Sequence, residues 1–95
     1  NSNKEKVKGN GQVTEKRNAD GDFTGVATLG NFNVYVSIGN TASVKIQGES
    51  NILPYIETYV VKGTSKVRSK DNVSIKTGQP VKCVCHSNGS ILQVQ

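Results

Sequence analysis

Between Gly25 and Gly48 the chain reads GVATLGNFNVYVSIGNTASVKIQG. Phe32, Val34, Val36 and Ile38 take every second position, with Asn33, Tyr35 and Ser37 between them. In an extended chain that alternation gathers apolar groups on one face and polar groups on the other, whereas in a helix it would scatter both. Gly39, Asn40 and Thr41 interrupt it with residues that tolerate a turn. Val44 and Ile46 resume it in the same phase. A strand, a turn and a second strand are expected here, with Phe32, Val34, Val36, Ile38, Val44 and Ile46 as core.

The rest of the chain supports the same class. Thirteen Val, six Ile and seven Thr stand against three Leu and three Ala. β-Branched side chains lose χ1 freedom in a helix and fit a pleated surface. Further period-two runs surround Val13–Arg17, Phe23–Leu29, Ile56–Val60, Val67, Val73–Ile75, Val81–Cys85 and Ile91–Val94. Asn51–Pro54 has room for a single helical turn whose Ile52 and Leu53 plug one end of the core. Turn signals recur at Asp20-Gly21, Gly30-Asn31, Gly39-Asn40, Gly48, Gly63, Asp71-Asn72, Gly78 and Asn88-Gly89. Their spacing of about ten residues is that of sandwiches, barrels and β-helices alike. The chain is therefore all-β. Residues 1–11, polar and Lys-rich, are expected as a flexible arm, with Val7 able to add an edge strand. Residues 12–95 form one domain.

A net charge of +5 is spread along the strands, with only Lys4, Lys6 and Lys8 close together. Dispersed Lys is what solvated faces and protected sheet edges carry, so no nucleic-acid partner is expected. No apolar run approaches the ~20 residues of a membrane-spanning helix. With no leader and no initiator Met, the chain is expected to begin after a removed leader or to be a cut piece.

Catalytic and metal chemistry lack a constellation. Cys83-Val84-Cys85-His86 holds every Cys and His of the chain, too few for a four-ligand zinc set. In a strand the two Cys share a face with Cα atoms about 7 Å apart, at or beyond the reach of a disulfide. They are read as small buried residues with His86 at a strand end, and no metal or cofactor is expected. No signature places a nucleophile or an acid beside His86, so no catalytic residue is assigned. Asp20 and Asp22 read as turn chemistry. Asn72-Val73-Ser74 and Asn88-Gly89-Ser90 match the glycosylation pattern, which Asn-rich turns produce by chance. The candidate binding residues are Tyr35, Tyr55 and Tyr59, with Lys45 and Lys62 beside them. Exposed aromatics near cations stack sugars or bases, and equally pair across strands. Tyr55 and Tyr59, four apart in an extended chain, are expected to share a face.

One order of features resembles a known family. It runs Gly9-Asn10-Gly11, Arg17, Asp22-Phe23-Thr24-Gly25-Val26, Phe32-Asn33-Val34-Tyr35-Val36, Val44-Lys45-Ile46, Asn51-Ile52-Leu53, Ile56-Glu57-Thr58, then Val60 with Gly63. It is similar to the GIN domain, the autotransporter adhesin head family of exported bacterial proteins of unknown function. Ser65 departs from it, standing where the pattern tends to have Leu. The resemblance implies a right-handed β-helix-like stack of short strands, with a small sandwich or barrel as the alternative. It also implies that residues 12–95 are the N-terminal part of a longer domain. The function it implies is that of a non-enzymatic structural or adhesin-like module, exported to the periplasm, outer membrane or cell surface of a Gram-negative bacterium. Self-association through strand edges or the end of the stack is expected, as is a surface glycan or protein partner. A carbohydrate- or polyanion-binding domain using surface Tyr and Lys is the alternative.

Overall fold

The computed structural model describes residues 4–18, 23–39, 42–87 and 93–94. Ten strands follow in order along them: β1 Glu5–Lys8, β2 Val13–Asn18, β3 Gly25–Leu29, β4 Phe32–Ile38, β5 Ser43–Glu49, β6 Ile56–Val61, β7 Thr64–Ser69, β8 Val73–Lys76, β9 Val81–Ser87 and β10 Gln93–Val94. A 3-10 turn, Leu53–Tyr55, joins β5 to β6. No α-helix occurs among the described residues.

The strands form two four-stranded sheets, β10-β3-β7-β6 and β2-β5-β9-β4, and a two-stranded sheet, β1-β8. The pairings are of two kinds. β1–β8, β3–β7, β3–β10 and β4–β9 run parallel, while β2–β5, β5–β9 and β6–β7 run antiparallel. Both four-stranded sheets are thus mixed, and neither closes into the barrel held open as an alternative. Because β7 lies on β3 and β9 on β4 in the same direction, the course β7-β8-β9 is laid beside the course β3-β4. The two courses differ at one corner. β8 intervenes between β7 and β9, whereas Gly30 and Asn31 alone turn β3 into β4. Gly30 makes that turn with φ +127°, a conformation that a side chain would oppose. The β6–β7 hairpin turns at Lys62-Gly63, with φ of 49° and 79°, the paired positive values of a type I′ turn.

Between the four-stranded sheets lies a small core. Val44, Ile46, Val81, Cys83 and Cys85 enter from one sheet and Val26, Ile56 and Val67 from the other. Phe23 joins them, and Ile52 and Leu53 close one end as expected. Ser65, on β7, is fully buried among these groups.

Three expectations need correction. β4 keeps its period of two, yet Val36 is 45% exposed and Ile38 79%. Val44 and Ile46, in the same phase, are fully buried. The reason is position in the sheet. β5 and β9 are flanked on both sides, while β4, among the described residues, has β9 on one side only. Within the stretch expected as an arm, Glu5–Lys8 forms β1 and pairs with Val73–Lys76, so the edge-strand option around Val7 is the one realised. The Asn88-Gly89 turn signal between two period-two runs would favour a hairpin of β9 with the last strand, whereas β10 pairs in parallel with β3. The turns expected at 19–22, 40–41 and 88–89, with the acidic pair at 20 and 22 and the start of the last strand, lie outside the described residues.

Candidate functional site

The outer face of the β2-β5-β9-β4 sheet gathers more of the singled-out residues than any other surface described. The register places Lys45 and Tyr35 opposite Val84 from its two sides. They therefore share a row about 10 Å apart, two strand spacings. Tyr35 is 50% exposed. Lys45, itself half-buried, reaches exposed Glu15 of β2 at 3.2 Å, an ion pair that holds the ammonium over the sheet. One row further, Ser43, His86 and Ser37 align, and Ser37 Oγ lies 2.6 Å from His86 Nδ1. A hydroxyl beside an imidazole is half of a nucleophilic pair. Among the described residues no carboxylate lies within ion-pairing distance of His86 to orient its ring. Sequence reasoning missed this contact because Ser37 and His86 stand alone on different strands, with no local motif.

The opposite end of the same face holds a cleft of about 340 Å³ lined by Val13, Gln47, Glu49, Pro80 and Lys82, with Gly11 and Gly78 at its edge. Glu49 is only 8% exposed. Its Oε2 accepts the Gly11 N–H at 2.6 Å and its Oε1 the Gly78 N–H at 3.0 Å. A buried carboxylate needs such donors. The same corner is clasped by Asn51, whose Oδ1 accepts the Asn10 N–H at 3.0 Å while its Nδ2 donates to Lys8 O at 2.8 Å. Glu49 was passed over because Gly48-Glu49-Ser50 reads as a break. The one hint was a carboxylate between two flexible residues.

The other candidates lie elsewhere. Tyr59 is on the outer face of the second sheet, with the Arg68 guanidinium 5.4 Å from its ring centroid. Arg68 Nε donates to Glu57 Oε1 at 2.7 Å. Tyr59 is thus engaged in a cross-strand cluster. Tyr55 does not share its face, because it belongs to the 3-10 turn and not to β6. Its hydroxyl donates to Glu5 Oε2 at 3.2 Å. That hydrogen bond, followed by the nearby negative charge, holds the phenol above its ordinary pKa. Lys62 sits at the tip of the β6–β7 hairpin. Of the five residues, only Tyr35 and Lys45 come together.

Cys83 and Cys85 point into the core as free thiols, their Sγ atoms 3.5 Å apart. The bond to Cys85 and then burial push the Cys83 thiol up. His86, one residue on, faces the other way, so the Cys-x-Cys-His run does not converge on one point.

Residues 22–89 match the family model described as "Putative auto-transporter adhesin, head GIN domain". No curated protein matches the chain. Solved structures share its fold. A "putative adhesin" of Bacteroides fragilis superposes with a TM-score of 0.79 at 13% identity over 94% of this chain and 42% of its own. A "putative adhesin" of Parabacteroides merdae gives 0.74 at 20% identity over 93% and 36%. A "putative lipid binding protein" of Parabacteroides distasonis gives 0.73 at 18% over 95% and 40%. The chain spans less than half the length of each of these proteins.

Proposed function

From the premise that the chain belongs to the head GIN domain family, we propose that it is a non-enzymatic, extracytoplasmic contact module of the adhesin type. The observation that carries this is the edge of β4. Val36 and Ile38, side by side on one face of β4, are 45% and 79% exposed, and β4 carries a neighbour on one side only among the described residues. Adjacent apolar side chains on a free edge are costly to leave in water and mark a contact surface. The parallel ladders β3–β7 and β4–β9 support a layered, β-helix-like reading, in which a further strand would add on β4 as β10 adds on β3. The module then acts at the periplasm, outer membrane or cell surface of a Gram-negative bacterium. It associates through that edge with a second copy or a surface partner.

A second reading uses the same sheet's outer face. Tyr35 in one row with Lys45, on a chain of net charge +5, suits a carbohydrate or a polyanion. Sedimentation of wild type and Ile38→Lys, alongside a glycan array and a salt titration of heparin binding, separates the two. Concentration-dependent association abolished by Ile38→Lys supports the edge. Saturable glycan or heparin binding lost in Tyr35→Ala, with a monomeric wild type, supports the alternative and sinks the first reading.

A further inference from the structure

Where the three sheets meet, a cleft of about 380 Å³ opens between β8 and the Gly30-Asn31 corner. Its floor is apolar, made by Phe32 of β4, Ile56 of β6, Ile75 of β8 and Val81 of β9. Of the residues that line it, Lys76 alone is charged. The cleft exists because the β3-β4 course has no strand at the corner that β8 occupies in the neighbouring course. β8 has one ladder partner among the described residues, β1.

The register of that ladder fixes which backbone groups are left over. Glu5 N–H donates to Asn72 O and Gly9 N–H to Lys76 O, each at 2.8 Å, with Glu5 opposite Val73 and Val7 opposite Ile75. In a parallel ladder alternate residues of a strand turn their N–H and C=O toward the same neighbour. Residues 72, 74 and 76 therefore face β1. Val73 and Ile75 turn their amides and carbonyls the other way, and Ile75 lines the cleft.

From this geometry we infer that the cleft is a docking slot for one extended peptide strand, added to the free edge of β8. The slot has the chemistry of a strand. An acyl chain laid on the same apolar floor would strip water from the Ile75 amide and carbonyl and return no hydrogen bond to them. A strand at the usual ~4.8 Å spacing supplies both partners. Alternate side chains of the incoming strand then fall on Phe32, Ile75 and Val81 and must be apolar. Those between them face outward beside exposed Lys76, where a carboxylate forms a cross-strand pair. The ligand is a peptide in which apolar and acidic residues alternate. The slot is separate from the β4 edge, which lies along Val36 and Ile38 at the far end of that strand.

The probe is a capped, fluorescently labelled heptapeptide alternating valine with glutamate, followed by anisotropy at physiological salt. Saturable binding is expected, with slowed hydrogen exchange at the Ile75 amide. Two analogues are N-methylated on either the odd or the even residues. One set should weaken binding by about tenfold or more, the equivalent of one or two net hydrogen bonds, and the other should be tolerated because its amides face solvent. Lys76→Glu, an exposed change that leaves the core intact, should weaken binding about threefold to tenfold. Equal tolerance of both methylated sets, binding of a block peptide of the same composition with the same affinity, or no binding at millimolar peptide would overturn the inference. Saturable laurate binding that protects no Ile75 amide, with no peptide binding, would assign the cleft to an acyl chain instead.

Discussion

Glu49 ties three segments that are distant in sequence, and replacing it tests that tie directly. Its two oxygens hold the Gly11 and Gly78 amides, so it fastens the β1–β2 and β8–β9 connections to the end of β5. A hydrogen bond to a charged group contributes about 1.5–3 kcal/mol. Gly11 and Gly78 are themselves exposed, so water reaches their amides once the side chain is gone. Desolvation of the native carboxylate offsets part of the gain. The expected cost of Glu49→Ala is therefore about 2–4 kcal/mol, and of Glu49→Gln, which keeps one acceptor, about 1–2 kcal/mol. In urea, with a slope of about 1 kcal/mol per molar for a domain of this size, the Ala variant should lose about 2 M or more in midpoint. Gly9 sharpens the test. A Cβ there would overlap the Glu49 carboxyl group. In the wild type, Gly9→Ala should thus displace Glu49 and cost a comparable amount. In the Glu49→Ala background the clash is gone, and the same change should be neutral or stabilise by up to about 1 kcal/mol through the unfolded chain. A double-mutant cycle should give a coupling of about 1.5 kcal/mol or more. Additive effects, or a Glu49→Ala unfolding free energy within about 0.5 kcal/mol of wild type, would refute the tie.

Other predictions follow from the same structure. Ile46→Ala should cost about 2–5 kcal/mol by urea unfolding, while Ile38→Ala, in the same sequence phase but on the exposed edge, should stay within about 0.5 kcal/mol. Phenolate absorbance of wild type against Glu5→Gln should show Tyr55 titrating at lower pH once the hydrogen bond and charge of Glu5 are removed, and identical titration curves would refute the contact. Because the folded-state pKa of Tyr55 is raised, the stabilisation from its bond to Glu5 is complete below the unfolded pKa and fades as pH rises through the folded value. Lys62→Asn should raise stability by about 0.4–1 kcal/mol, read as a higher thermal midpoint, because Asn tolerates the left-handed φ of 49° better than Lys. An unchanged midpoint would show that the hairpin tip relaxes without strain.

Local chemistry made a good part of the fold legible. The period of two in Phe32–Ile38 and Val44–Ile46, the β-branched composition and the turn at Gly63 act within a few residues, and each appears in the structure as strand or turn, although the burial expected of Val36 and Ile38 does not. So does the Ile52–Leu53 plug, because two adjacent large apolar groups beside a proline have no better place than the core. The candidate site was legible only for Tyr35 and Lys45, where alternation alone sets the face. Tyr55 and Tyr59 were misjudged together because the 3-10 turn ends at Tyr55, and a shift of one residue in where a strand starts changes what its neighbours share.

What the chain determines by itself, then, is which residues of each strand lie on one face. A period of two is a property of the backbone and needs no partner. Which of those faces becomes core is decided by tertiary structure, since burial depends on the strands beside and the sheet above. Val44 and Ile38 carry the same pattern, yet one is fully buried and the other 79% exposed. The pairings of β10 with β3 and β1 with β8, the Ser37–His86 contact and the Glu49 clasp each join residues far apart in sequence. No local propensity encodes such contacts, because their geometry exists only once the sheets have assembled.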